Sequence, residues 1–140
     1  MIELDNRTDA GIDTEPLERI AESLTDQEIE LIITDDGEIR EMNRDFRGID
    51  RATDVLSFPL DPMPMAPLGS IVVSLDHVRS GAERFGHTEA DETALLFIHG
   101  LLHLLGYDHE CDDGEMRREE ERIITAFGLP DSLIVRTEGA

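Results

Sequence analysis

Cysteine, lysine and long apolar runs are scarce or absent in this chain of 140 residues. A single cysteine, Cys111, cannot form a disulfide within the chain, which is typical of a reducing compartment. No apolar run reaches the roughly 20 residues that a membrane-spanning helix needs. The N-terminus also lacks the basic and then apolar pattern of a secretory signal. We therefore expect one cytoplasmic domain over residues 1–140, long enough to build a hydrophobic core.

The charge balance is strongly acidic. All twelve basic residues are arginine, and 33 acidic residues bring the formal net charge to −21. Such a surface repels nucleic-acid phosphates at long range. Either the protein does not bind nucleic acid, or it works in high salt, where the Debye length falls to about 3 Å at 1 M. Acidic excess without lysine is typical of salt-accumulating cells, and the motifs described next favour this second interpretation.

Three histidines form the strongest functional signal, in the segment His99-Gly-Leu-Leu-His103-Leu-Leu-Gly106-Tyr-Asp-His109. His99 and His103 are four residues apart, so both imidazoles lie on one face of a helix. Gly106 can end that helix in a left-handed conformation, and the reversed chain brings His109 toward the other two. Three histidines with an open fourth position are typical of a catalytic zinc, so we expect one zinc ion per chain.

Position 100 separates this motif from the zinc-peptidase signature H-E-x-x-H-x-x-G-x-x-H. Gly100 stands where the peptidases carry the glutamate that acts as general base, which disfavours peptide hydrolysis by the usual route. A metallopeptidase-like zinc hydrolase with its base elsewhere remains one alternative. A non-catalytic protein with a structural zinc is another, because Cys111 is near enough in sequence to be a fourth ligand.

Further motifs lie upstream: Asn43-Arg-Asp-Phe-Arg47, Thr53-Asp-Val-Leu-Ser-Phe-Pro59 and Leu68-Gly-Ser-Ile. Together with the histidine segment they resemble the YbeY family of zinc-dependent endoribonucleases, with Ser70 in place of that family's usual aspartate. The resemblance implies cleavage of single-stranded RNA in rRNA maturation and small-subunit quality control. It also implies an rRNA precursor and the small ribosomal subunit as partners. A ribosome-assembly factor with a structural zinc is the non-catalytic alternative.

The resemblance gives Arg47 a catalytic role, because it matches the family's arginine and a guanidinium binds phosphate in bidentate fashion. The expected catalytic residues are Arg47 and His99, and the expected metal ligands are His99, His103 and His109. Arg44 and Arg51 are candidates for the RNA path. These assignments leave the general base unidentified.

Several other polar residues are weaker candidates. Asp108 could orient a histidine ligand. Glu92 shares a helix face with His99, but it lies two turns away, roughly 10 Å by helix rise. We expect His77 and His87 at the surface, and structural roles for the remaining two, Asp54 and Ser57.

Strands and helices alternate along the chain, which predicts an α+β single domain with a small mixed sheet of about four strands covered by helices. The apolar helix 88–105, capped by Thr88, should be the central element and carry the metal site. Asp36, Asp76 and either Asp112 or Asp113 are the expected caps of three other helices. The expected strands are 1–5, 28–34, 53–60 and 69–75, and the other helices are 16–24, 38–47, 77–85 and 114–127. The proline-rich segment 61–67 should be a connector or a flap, and the tail to Ala140 should be partly mobile.

Overall fold

The computed structural model describes residues 1–60 and 66–130 of the chain. The α+β architecture is confirmed, with four strands and five helices in this part. In chain order they are β1 (Ile2–Asn6), α1 (Glu15–Glu22), β2 (Ile29–Thr34), α2 (Asp36–Arg47), β3 (Val55–Pro59), β4 (Gly69–Ser74), α3 (Leu75–Phe85), α4 (Glu89–Leu104) and α5 (Glu115–Phe127).

The four strands form one mixed sheet in the order β1-β2-β4-β3. The first three are parallel, and β3 runs antiparallel to β4. This order places β3 at an edge, where one side of its backbone has no strand neighbour in the described part of the chain. The edge position matters because β3 contains most of the Thr53–Pro59 motif, of which Thr53 and Asp54 precede the strand.

The core lies mainly on one face of the sheet, around α4. That helix has almost no exposed apolar side chain, and Leu96, Phe97 and Ile98 are completely buried. Helix α2 covers the opposite face through a smaller cluster that joins Ile39 to Ile32, Leu56 and Val72. The prediction of a central apolar helix is therefore confirmed, and its rigidity follows from the close packing of its apolar side chains.

Two predicted helix caps are wrong by one or two residues. The carboxylate of Asp35, not Asp36, accepts a hydrogen bond from the Glu38 amide at the start of α2. Ser74, not Asp76, is the cap of α3. Both helices begin directly after a strand, so the last residue before the helix takes the capping position and the following aspartate becomes helical.

The start of α5 also differs from expectation. Gly114 occupies the capping position with a left-handed φ of 98°, and it has no side chain to bond the first turn. Asp112 supplies that bond from two residues earlier, because its carboxylate accepts from the amides of Gly114 and Met116. Asp113 has no such role in the first turn of α5.

Two predictions fall wholly or mostly outside the described residues: the connector or flap at 61–67, of which 61–65 are not described, and the tail beyond 130. Within the described ranges, no helix combines the length and the apolar character that crossing a membrane requires.

Candidate metal centre and cleft

Helix α4 holds His99 and His103 on one face, as their spacing predicts. Its first turn is fixed by Thr88, whose hydroxyl accepts a hydrogen bond from the Asp91 amide at 3.0 Å. The Nε2 atoms of the two histidines lie 3.3 Å apart. A helix that is packed along most of its surface keeps this separation nearly constant, which is what a metal site requires of its ligands.

The other nitrogen of each ring is held by a neighbouring oxygen. Nδ1 of His99 lies 3.0 Å from Oε2 of Glu120 on α5, and Nδ1 of His103 lies 3.0 Å from the backbone oxygen of Tyr107. Because both partners are acceptors, the neutral rings carry their protons on Nδ1 and leave lone pairs on Nε2. Metal-binding histidines are oriented by such contacts.

Two facing lone pairs repel each other unless a cation lies between them. Zinc–nitrogen bonds of about 2.0–2.1 Å in tetrahedral geometry place two ligand nitrogens roughly 3.3 Å apart. The observed Nε2 separation in the His99–His103 pair, 3.3 Å, fits this value. The donor set and its spacing therefore fit a zinc ion.

His109 completes the group from the loop after α4. Gly106, with φ of 100°, permits the reversal that the sequence predicts. The His109 ring centroid lies 5.3 Å from that of His99 and 5.5 Å from that of His103. One ligand atom from each histidine lies within 4.8 Å of the others. Nδ1 of His109 is buried and has no hydrogen-bond partner among the described residues, as expected at a site that a cation completes.

Burial lowers the pKa of His103, and the neighbouring His99 lowers it further. His103 is therefore neutral at pH 7, which is the form that binds a metal. Protons begin to compete for this ring only at a pH below the ordinary histidine value.

Gly100 lies where α4 packs tightly against β3 and β4. A Cβ atom added there would lie 2.9 Å from Cγ2 of Ile71, 3.1 Å from Oγ of Ser57 and 3.2 Å from Cγ2 of Val55. The Ser57 hydroxyl also donates to the Gly100 carbonyl at 2.8 Å. The absence of the peptidase glutamate thus has a physical cause, because a side chain at position 100 would push strand and helix apart.

A cleft of about 560 Å³ opens beside the histidines. One wall, called here the histidine wall, consists of His99, His103 and His109. The facing strand wall consists of Arg47 and the residues of the β3 motif: Thr53, Asp54, Val55, Leu56, Ser57 and Pro59. The structure therefore brings Arg47 and the three predicted ligands to one cavity.

The free edge of β3 lines the cleft with backbone groups. The Ser74 amide donates to the Asp54 carbonyl and the Leu60 amide donates to the Leu68 carbonyl, so alternate residues of β3 bond to β4. The residues between them, at 55, 57 and 59, direct their backbone outward. The amide of residue 55 is bonded to the Asp54 carboxylate and residue 59 is proline, which leaves the Ser57 N–H as the donor facing the cleft.

Arg47 is the last residue of α2, and the loop that follows is anchored. Gly48 ends the helix with a left-handed φ of 71°. Asn43 then donates from Nδ2 to the Arg51 carbonyl at 2.8 Å, which ties the loop back to the helix. Asn43 is thus a structural residue of the predicted motif. Arg47 is exposed and forms no ion pair with the residues that the structure describes.

The remaining arginine candidates lie outside the cleft lining. Arg44 pairs with Asp45 at 3.2 Å, and Arg51 lies in the loop near Asp50 and Ala52. Among the carboxylates, Asp108 lines the cleft, but it accepts a hydrogen bond from the Glu110 amide, which lowers its pKa. A lowered pKa makes a carboxylate a weaker base.

The prediction that His87 lies at the surface is wrong. Its side chain is only 9% exposed and lies 2.7 Å from Glu92, which is also buried. Glu92 therefore belongs to a separate contact between the loop before α4 and the helix itself, away from the metal group. His77 is half-exposed, and its Nδ1 contacts Asp36 at 2.6 Å.

Ser70 lies on the opposite face of the sheet from the histidines. Its neighbour Ile71 points toward Gly100, so by alternation Ser70 points toward the side covered by α2. There its hydroxyl donates to Glu30 on the paired strand at 2.7 Å. An aspartate at position 70 would face the Glu30 carboxylate across the strand pair, where like charges repel.

Glu120 is the site residue that sequence reasoning missed. It lies in the charged run 117–122 and resembles a solvent-exposed helix position. Its helical spacing was the available signal, because it shares the apolar face of α5 with Met116, Ile123 and Ile124. A carboxylate on an apolar face needs a partner, and here that partner is His99.

The α+β fold and the three-histidine group define a small domain able to hold a metal ion in an open cleft. Sequence comparison identifies the family to which this domain belongs. A model of the family described as Endoribonuclease YbeY matches residues 4–128. The chain belongs to the YbeY family, as the sequence motifs predict.

Individual relatives cover nearly the whole chain. Endoribonuclease YbeY of Sulfurimonas denitrificans is 63% identical over 139 residues, which span 99% of this chain and 100% of that protein. The Helicobacter pylori protein of the same name is 53% identical, with 99% of each chain covered. A Thermotoga maritima protein solved in solution shares 34% identity with a TM-score of 0.60, over 91% of this chain and 89% of the other.

Proposed function

We propose that this chain is a zinc-dependent endoribonuclease that cleaves single-stranded RNA during rRNA maturation in the cytoplasm. Its partners are then an rRNA precursor and the small ribosomal subunit. The observation that carries the proposal is the facing pair of Nε2 atoms on His99 and His103, 3.3 Å apart, beside a cleft that also contains Arg47. The family name and the names of the relatives support RNA as the substrate.

In this proposal, one wall of the cleft binds the metal ion and the other binds the phosphate. His99, His103 and His109 hold the zinc ion, whose Lewis acidity can acidify water and stabilise charge on a phosphate. Arg47 binds the phosphate from the strand wall through its guanidinium fork. The Ser57 N–H adds a neutral donor on the same wall. Glu120 and the Tyr107 carbonyl keep the His99 and His103 rings in the tautomer that binds metal.

The two alternative functions are less well supported. A metallopeptidase needs a general base, and Gly100 leaves no room for the usual glutamate. A purely structural zinc would require a fourth protein ligand. Cys111 is exposed, and its sulfur is not among the ligand atoms that lie together in the histidine group. Within the described ranges, the candidate ligand group contains the three histidines alone.

The test is incubation of the zinc-loaded protein with an rRNA precursor and, separately, with casein, at low and at high salt. We expect cleavage of the RNA and no cleavage of casein, and we expect the His103→Ala variant to cleave neither. Casein cleavage by the wild type, lost in His103→Ala, would favour the peptidase alternative. A folded, zinc-loaded protein inactive on both would favour the assembly-factor alternative.

A further inference from the structure

An exposed aromatic ring lies next to Arg47. Phe46 is 73% exposed and lies in the last turn of α2. It contacts Phe58 of β3 in an edge-to-face arrangement, with ring centroids 5.2 Å apart and an interplanar angle of 64°. Phe58 itself precedes Pro59, which lines the cleft. Phe58 packs with the cluster under α2, so the two rings lie on the α2 side of β3 and outside the cleft lining, with Phe46 next to Arg47 in the chain.

The fold does not account for this exposure. Helix α2 buries Ile39 and Asn43, and Met42 packs beside them against the sheet. Phe46 comes one turn later, and its contact with Phe58 fixes the ring without covering it. An exposed phenylalanine that contributes so little buried area stabilises the fold only slightly. Its place in the chain directly before Arg47, which lines the cleft, makes a ligand contact the better explanation.

Because the protein is strongly acidic, a contact of this kind would matter for its affinity for RNA. With a net charge of −21, the chain lacks the broad positive surface through which most proteins hold RNA. Affinity must then come from contacts that do not depend on long-range attraction. Base stacking on an aromatic ring is such a contact, and it accepts any base because every base has a π-face.

The positions of Phe46 and Arg47 match the two parts of a nucleotide. They are consecutive residues at the end of α2, and their side chains leave the helix about 100° apart. One RNA strand that passes around this helix end can therefore place a phosphate on Arg47 and a neighbouring base on Phe46. In a duplex, both faces of a base are covered by its neighbours, so only an unpaired and unstacked base can occupy the ring. The pair would therefore select for single-stranded RNA.

We propose that Phe46, supported by Phe58, is a stacking platform for a base next to the phosphate that Arg47 binds. This inference depends on the proposed RNA substrate. The platform contributes to affinity and strand selection, and it leaves the metal site untouched. Phe127 provides a matched control, because it is also a partly exposed phenylalanine, 36% exposed at the end of α5, and has no neighbour in the chain that lines the cleft.

The kinetic test compares Phe46→Ala and Phe46→Leu with Phe127→Ala on a single-stranded RNA substrate. Stacking predicts that KM rises about tenfold or more in both Phe46 variants, because leucine lacks a π-face. Zinc content and melting temperature should stay at the wild-type value, since the ring is exposed. Phe127→Ala should match the wild type. An unchanged KM in Phe46→Ala, or full activity in Phe46→Leu, would overturn the stacking role.

A spectroscopic test does not need cleavage. The chain contains no tryptophan, so Phe46→Trp introduces a single indole at the platform. Its fluorescence should be quenched by single-stranded RNA and not by a duplex of the same sequence, whereas Phe127→Trp should respond to neither. Equal responses at the two positions would contradict the platform.

The two tests separate the platform from the proposed function. If RNA is cleaved and Phe46 substitutions have no effect, the stacking proposal is wrong and the endoribonuclease proposal still holds. If RNA quenches the Phe46→Trp fluorescence but the protein cleaves no RNA, the stacking proposal is supported and the endoribonuclease proposal is wrong. Absence of both binding and cleavage overturns both.

Discussion

The two walls of the cleft differ in how far their functional side chains are buried and in whether neighbouring groups hold them. On the histidine wall, His99 and His103 project from a buried helix, and a neighbouring oxygen holds the second nitrogen of each ring. On the strand wall, Arg47 is exposed and has no ion-pair partner among the described residues. The first wall is preorganised for a small cation, and the second is open for a larger anionic ligand. Substitutions on the two walls should therefore affect different measurements.

Among substitutions that leave the metal ligands in place, Arg47→Ala should have the largest effect on turnover. Loss of the guanidinium should lower kcat for RNA cleavage by about 100- to 1,000-fold, the range found when one charge-stabilising donor is removed. Zinc content and melting temperature should not change, because the side chain is exposed. Arg47→Lys should recover only part of the activity, since an ammonium lacks the bidentate fork. Arg44→Ala, one turn away and outside the cleft lining, is the control; equal losses in both variants would remove the specific role of Arg47.

Glu120→Gln should weaken the histidine wall without altering the strand wall. An amide in place of the carboxylate still reaches His99, but it is a weaker acceptor and can present its NH₂ group to the ring. Zinc affinity should fall about 10- to 100-fold. Competition with a chelator of known affinity measures the change, and Glu119→Gln, the adjacent residue on α5, is the matched control. Equal zinc affinities in the wild type and Glu120→Gln would mean that Glu120 does not orient the ligand.

Gly100→Ala tests the contact between the two walls. The added methyl would lie 2.9 Å from Ile71 and 3.2 Å from Val55, so β3 or α4 must shift. We expect a loss of about 1–3 kcal/mol in the free energy of unfolding, measured by urea denaturation. Gly37→Ala is a control, because its Cβ would meet only Asp35, at 3.5 Å. Equal stabilities of the two variants would show that the junction can relax.

Added salt should have the mildest effect, and it acts on the surface around both walls. Self-repulsion among 33 acidic and only twelve basic residues destabilises the protein at low salt. The melting temperature should therefore rise from 0.1 M toward molar KCl as screening increases. RNA cleavage should hold or increase over the same range, because the zinc and Arg47 contacts act at short range. A steady loss of both would contradict the high-salt interpretation.

The histidine wall could be predicted from sequence because its spacing is local. His99 and His103 are one helical turn apart, and Gly106 permits the reversal that brings His109 back. The fold class followed from alternating strands and helices. In each case, the signal lies in a short stretch of sequence.

The partners that complete the site are separated by longer stretches of chain. Glu120 reaches His99 across 21 residues, and the role of Gly100 depends on the packing of β3 and β4 against α4. The cap at Asp35 depended on where a strand ended, which sequence patterns locate only to within a few residues. His87 looked like a surface residue because its partner Glu92 resembled an ordinary charged helix position.

The most direct test of the central proposal, a zinc ion on three histidines that drives RNA cleavage, is a zinc titration of the metal-free protein. Cleavage of a single-stranded RNA and the melting temperature are followed together. We predict that both rise in proportion to added zinc and level off at one ion per chain, and that His103→Ala shows neither rise at the same zinc concentrations. Full cleavage before any zinc is added, or one tightly bound zinc per chain in His103→Ala, would contradict the proposal.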